Sequence, residues 1–309
     1  MPSSGERSCF VPFTPASDLA SGLHLYAAVG GGAPHLFELD TGSVGVLGPR
    51  QRLGPAYQNF DASLDVKFEY VSSGTVYWGQ WVKAAVILGV PETWDGDGDY
   101  PMAEVEVFAV DRPTDFDGGI LGVGFAIGGL ADGGPARNPL LHLTYQGEKL
   151  RRGYIIRSQG LDAGLTSANI DGFAFVELQR NADNDDWMQP MGTLGLPNDF
   201  SVDLPLLIDT GVPEMLLWLN PADRPSGSAK ATQVAAGVAV TITAPAAPNA
   251  RALQYSFVTG DATDPAAPSA VEWRNGTGIN TGRHILASAD YLYDAARGMI
   301  GFRSPATSG

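Results

Sequence analysis

The chain has 309 residues, enough to bury one or two full cores. A formal net charge of −15 argues against a nucleic-acid partner, because no basic patch would offset the phosphates, and disfavours an anionic membrane surface. Charged residues are only 17% of the chain, against 39 Gly and 22 Pro, a balance that suits short strands joined by many turns.

Residues 1–7 contain no signal-peptide apolar region, and no apolar run approaches membrane-spanning length; Ala84-Ala85-Val86-Ile87-Leu88 is strand-sized. A soluble, cytoplasmic protein is expected, or a periplasmic or secreted one if a leader has been removed. Cys9 is the only cysteine, so no intrachain disulfide can form.

Along the chain, alternation dominates. His35-Leu36-Phe37-Glu38-Leu39 runs into Asp40-Thr41-Gly42-Ser43. Leu64, Val66, Phe68 and Tyr70 share one strand face, with Asp65, Lys67 and Glu69 on the other. In Trp94-Asp95-Gly96-Asp97-Gly98-Asp99-Tyr100, the acidic residues and Glu106 match four positions of a calcium loop. Tyr100 stands where that loop needs glycine for its bend, so a solvated acidic turn is expected instead. His24, His35, His142 and His284 have no metal-ligand spacing.

A second apolar stretch, Leu204-Pro205-Leu206-Leu207-Ile208, runs into Asp209-Thr210-Gly211-Val212. Val238, Val240 and Ile242, then Leu253, Tyr255 and Phe257, alternate again. Residues 224–228, 245–249 and 259–270 read as surface loops, and residues 287–296 as one or two helical turns at most. The prediction is an all-β chain with few short helices and a weak long repeat: strand, Asp-Thr-Gly, further strands, in each half. A boundary near Gly172-Phe173 divides it into 1–172 and 173–309.

The two Asp-Thr-Gly triplets stand 169 residues apart, at positions 40 and 209. Each can present a carboxylate from a tight turn. Two carboxylates sharing a site cannot both ionise easily, so one keeps its proton while the other serves as a base. Such a pair can split an amide bond with an ordinary water molecule.

With these triplets go Tyr26-Ala27-Ala28-Val29-Gly30 ahead of the first and Tyr70-Val71-Ser72-Ser73-Gly74-Thr75 after it. Phe116-Asp117-Gly118-Gly119-Ile120-Leu121-Gly122-Val123-Gly124-Phe125 and Tyr291-Leu292-Tyr293-Asp294-Ala295-Ala296-Arg297-Gly298-Met299-Ile300-Gly301-Phe302, the last resembling a closing hairpin, follow. In this order and over nearly the whole length, the chain resembles a pepsin-like aspartic protease, of a bacterial type without disulfides. The resemblance implies a two-lobed, all-β fold with one Asp-Thr-Gly loop per lobe. It implies an endopeptidase with Asp40 and Asp209 as the catalytic dyad, acting on peptide or unfolded protein as a monomer without metal or cofactor. Large apolar side chains are expected around the cut. Thr41 and Thr210 resemble threonines that lock the loops together, and Gly42 and Gly211 let backbone approach the carboxylates. Tyr70, Ser73, Gly74 and Thr75 resemble the flap that covers substrate, with Tyr77 as the alternative flap tyrosine.

The chain also departs from the family pattern. Leu47 stands where a tryptophan is common, Pro213-Glu214-Met215 directly follows the second loop, and Asn280-Thr281-Gly282 replaces an apolar-apolar-Gly pattern. Ser43 can donate a hydrogen bond to Asp40, whereas Val212, in the matching place, withholds one from Asp209. A dyad titrating higher than usual is therefore expected. The alternative to an enzyme is a pepsin-like fold used only for binding or inhibition.

Overall fold

The computed structural model of the chain describes residues 6–59, 66–70, 74–126, 134–182, 185–245 and 252–305; of Asn59 and Tyr70 it describes the backbone alone. The fold is nearly all β. Its helical pieces among the described residues are 3-10 turns, the longest Arg283–Ala287. None of the described helices is long and apolar enough to cross a membrane.

The strands form three sheets. A ten-stranded sheet is built from residues 24–149, and a seven-stranded one from residues 191–280. The six-stranded sheet draws on both ends of the chain. It runs from Cys9–Pro12 through Gly160–Ala163, Gly153–Arg157, Asp290–Asp294 and Met299–Arg303 to Ala174–Glu177. Its central pairing joins Gly153–Arg157 to Asp290–Asp294, antiparallel, with Tyr154 opposite Tyr293. The position 172/173 falls between Gly160–Ala163 and Ala174–Glu177, both strands of this shared sheet.

Each Asp-Thr-Gly loop sits in the same three-strand setting. In the first half, His35–Asp40 leads into the loop and Val44–Pro49 leads out. Between them lies Gly119–Val123, parallel to the first strand and antiparallel to the second. In the second half, Phe200–Leu207 leads in and Met215–Leu219 leads out. Thr277–Asn280 lies between them with the same two senses. The separating strand keeps the lead-in and lead-out strands from pairing with each other as a plain hairpin. Leu39, Val46 and Leu121 in one half, and Leu217 and Ile279 in the other, are fully buried behind these tips. Burying such a side chain contributes roughly 1.5–3 kcal/mol, so the loops stand on a rigid base.

The shared sheet is tied to the first of these settings by aromatic packing. Phe125 stacks on Tyr293 at 4.5 Å between ring centres, and the buried Tyr154 hydroxyl donates to the Val123 carbonyl oxygen at 2.7 Å. A buried phenol needs such a partner, and here it joins two sheets.

Alternation is present in the strands Ala239–Ala244 and Leu253–Val258, while Leu64 and the Tyr70 side chain lie outside the described residues. In the strand Leu253–Val258 the burial pattern alternates strictly. Residues 287–296 are a correction: past Arg283–Ala287 the chain forms the strand Asp290–Asp294, buried at every position. A strand covered on both faces loses its alternation, and a short apolar run then resembles a helical turn. Residues 259–270 form no strand or helix, yet Ala266 and Ala267 are buried and the Ala266 carbonyl accepts from the Tyr255 hydroxyl. Most of 245–249 lies outside the described residues.

Candidate active site

The two loop tips meet. The Thr41 backbone N–H donates to Thr210 Oγ1 at 3.0 Å, and the Thr210 N–H donates to Thr41 Oγ1 at 3.0 Å. Each hydroxyl then donates across to the opposite strand, Thr41 to the Ile208 carbonyl at 2.7 Å and Thr210 to the Leu39 carbonyl at 2.6 Å. Both threonines are almost wholly buried. Every polar group of this cross-link has its partner in the other half, so neither loop can shift alone without orphaning a buried donor.

Gly42 and Gly211 bring the carboxyls together. A Cβ on Gly42 would run into the Asp209 carboxyl, and one on Gly211 into the Asp40 carboxyl. Within each loop the same glycine donates its N–H to its own aspartate: Gly42 to Asp40 Oδ1 at 2.7 Å, Gly211 to Asp209 Oδ1 at 2.8 Å. These are the inner oxygens, and each carboxyl lies against the other loop's glycine, so the two carboxyls act directly on each other's ionisation.

The outer oxygens are served differently. Ser43 Oγ donates to Asp40 Oδ2 at 2.5 Å. On the other side, Asn280 Nδ2 donates to Asp209 Oδ2 at 2.5 Å, and the Asn280 Oδ1 accepts from the Gly282 N–H at 2.9 Å. The expectation that Asp209 lacks an outer donor is therefore corrected. Val212 supplies none, but a residue 71 positions away does. The signal was present in the sequence as Asn280-Thr281-Gly282 in an apolar-apolar-Gly position.

Burial pushes both aspartates up from their ordinary range. Hydrogen bonds from Ser43 and Gly42 oppose this at Asp40. At Asp209 the charge of Asp40 adds to burial, with Asn280 and Gly211 opposing. The pair therefore holds one proton well above the pH at which a free carboxyl would lose it.

Two further charged groups border the pair. Glu38 shares a strand face with Asp40, two residues on. Burial raises its pKa to about 7, against the pull of Arg283 and with a push from Asp40. Arg283, only 3% exposed, crosses from the second half to bond Glu38 Oε1 at 3.1 Å and the Gly211 carbonyl oxygen at 2.9 Å. Its positive charge favours ionised Asp40. Neither Glu38 nor Arg283 stood out in the sequence, where Glu38 was one polar residue in an apolar run.

The hairpin Val66–Tyr70 and Thr75–Leu88 pairs Tyr70 with Thr75 and Phe68 with Tyr77, and Gly74 has the positive φ of a turn. Ser73 and the Tyr70 side chain lie outside the described residues. Tyr77 is buried with Leu47, Phe68 and Phe108, and its ring meets Phe116 edge-on at 5.0 Å. Burial and the charge of Glu38 raise its pKa, which sets Tyr77 near the strand that ends in Asp40.

The acidic segment is a turn. Asp95 Oδ1 accepts from the Asp97 N–H at 3.1 Å, while Glu106 lies in the strand Met102–Arg112 and bonds Arg137 at 2.7 Å. Among the described residues no group of three or more His, Cys, Asp or Glu is placed to hold a metal ion.

Two carboxyls thus lie together, each against the other loop's glycine, with one oxygen bonded by its own glycine N–H and the other by Ser43 or Asn280. Such a pair can take a proton from a water on one side and give one to an oxygen on the other. A scan against protein-family models finds no match, and no curated protein matches the sequence.

Proposed function

We propose that the protein is a pepsin-like aspartic endopeptidase in which Asp40 and Asp209 activate a water molecule against a peptide carbonyl. The observation that carries this reading is the reciprocal meeting of two distant Asp-Thr-Gly loops, each glycine seated against the other loop's carboxyl. Turn aspartates elsewhere, such as Asp18 and Asp261, are exposed and have lowered pKa values. The paired ones are buried and raised, as an acid–base pair requires.

In the proposed reaction the ionised carboxyl takes a proton from water as its oxygen attacks the peptide carbon. The protonated carboxyl donates to the carbonyl oxygen, giving a neutral tetrahedral diol. As the C–N bond breaks, the protonated carboxyl gives its proton to the leaving nitrogen while the ionised one takes a proton from a diol hydroxyl, so the pair ends with one proton as it began. No bond between enzyme and substrate is formed. The substrate is a peptide or unfolded protein held extended between the halves, under the hairpin that carries Tyr70, Gly74 and Thr75.

The test is incubation with a denatured protein across acid and neutral pH, with and without a statine-type inhibitor. Cleavage by the wild type, blocked by the inhibitor and absent in Asp209→Asn, supports the reading. Folded wild-type protein that cuts nothing at any pH overturns it in favour of a binding module.

A further inference from the structure

A hydroxyl and an amide serve matching oxygens on the two sides of the pair, and they are not chemically equivalent. Ser43 Oγ can donate to Asp40 Oδ2 or, by turning its proton away, accept from it. An amide NH2 can only donate. The Asn280 side chain is held in one orientation, because its Oδ1 already accepts from the Gly282 N–H. Asn280 is 1% exposed, so water does not compete for either end.

We infer that Asn280 is a positioning residue for the pair: it keeps the outer oxygen of Asp209 a standing acceptor, in place of a hydroxyl at position 212. Asp209 then accepts from a fixed N–H donor at both oxygens, Gly211 at Oδ1 and Asn280 at Oδ2. Asp40 has no such restriction, since Ser43 tolerates either state of its outer oxygen. The two carboxyls are therefore unequal in where a proton can reside. The site keeps a donor on Asp209 although Val212 carries none.

The register supports the substitution of one device for the other. Leu207 lies opposite Asn280 and Glu38 opposite Ile120, each two residues before its aspartate. Asn280 thus occupies the place in the second half that Ile120 has in the first. Gly282, which holds the Asn280 oxygen, and Arg283, whose N–H donates to the Val212 carbonyl at 2.9 Å, fasten this strand end to the second loop. The titratable and charged groups acting on the pair are Asp40 on Asp209, Arg283 and Glu38 with Asp40, and the neutral Tyr154 hydroxyl, which the charge of Asp40 reaches. Of the hydrogen bonds Asp209 receives, those from Asn280 and Gly211 favour its ionised form.

This inference rests on the pair being catalytic, and its test separates the two. Carboxyl carbons of aspartate are labelled with carbon-13, and the titration of Asp209 is followed by NMR in the wild type, Asn280→Leu, Val212→Thr and the double variant. The pH dependence of kcat/KM is measured on the same samples. Loss of the amide should move the upper step of the pair upward by about one pH unit, because a donor to the charged form is gone. Val212→Thr, three residues after Asp209 as Ser43 is after Asp40, should move it back in the double variant. A purely structural role for Asn280 would give no such rescue by a hydroxyl. In the native background Val212→Thr should leave the titration in place, and this holds the test open if Asn280→Leu fails to fold. A shift toward acid in that single variant, or a titration in Asn280→Leu that does not move, overturns the inference. If the wild type cuts no peptide while the titration shifts and reverts as described, the protease reading fails and the role of Asn280 stands.

Discussion

The two sides of the carboxyl pair are alike in backbone and unlike in how they are served. On the first side the outer donor, Ser43, is three residues from Asp40 in the same loop. On the second side the donor is Asn280, 71 residues from Asp209, brought in by the strand Thr277–Asn280. The backbone repeat fixes where carboxyls go. The polar groups around them were free to come from different places, and a fold can preserve a hydrogen bond while changing which residue supplies it. The same exchange shows one step further out, where Glu38 lies on the first side with an arginine from the second half, and Leu207 holds the matching place on the other.

The sharpest way to break the comparison is to remove one carboxyl at a time. Asp40→Asn and Asp209→Asn should each lower kcat/KM by roughly 10³-fold or more, and the double variant should fall little further, because the pair acts as a unit. Both should stay folded at neutral pH, since each aspartate is raised and its neutral replacement removes a buried charge. Peptide cleavage and thermal melting check both halves of the statement.

Next in size are the glycines. Gly42→Ala and Gly211→Ala each push a Cβ into the opposite carboxyl. Turnover should drop by about 10²-fold or more through misplacement of the pair, with equal severity on the two sides. Unequal losses would mean that the loops are less alike than their backbones.

Thr41→Val and Thr210→Val test the cross-link. Each removes the acceptor of the other threonine's N–H, at a cost of about 1–3 kcal/mol for the orphaned group. Urea midpoints of the two variants should fall together.

The smallest effect concerns Glu38. Its pKa is about 7 in the fold against 4.5 in the unfolded chain. Between those values the unfolded chain ionises first, so stability falls as pH rises through the window and levels above it. Glu38→Gln should flatten that part of the stability curve and leave the part below pH 4.5 unchanged. Denaturant unfolding at several pH values reads the difference against the wild type.

The all-β class and the paired loops were legible because their signals are local: alternation, turn residues and a triplet repeated in each half. The shared sheet was not. Asp290–Asp294 is buried on both faces and carries no alternation, so periodicity alone suggested helical turns before it, while the family resemblance gave Tyr291–Phe302 as a hairpin, which Asp290–Asp294 and Met299–Arg303 form. Asn280 and Arg283 were illegible for a different reason. Their partners are 71 and 245 residues away, and no local pattern ties a polar residue on one strand end to a carboxyl on a distant loop. Two local oddities, Val212 without a hydroxyl and Asn280 in an apolar place, were visible separately. Only the fold makes them one compensated change.

The one-proton state of the Asp40–Asp209 pair is the proposed active form. It is tested most directly by laying the pH profile of kcat/KM over the carbon-13 carboxyl titration of the same two residues in one sample. The expected profile is a bell whose acid and alkaline limbs coincide with the two steps of the pair. Activity that persists through both steps, or no activity at the pH where the pair holds one proton, would contradict it.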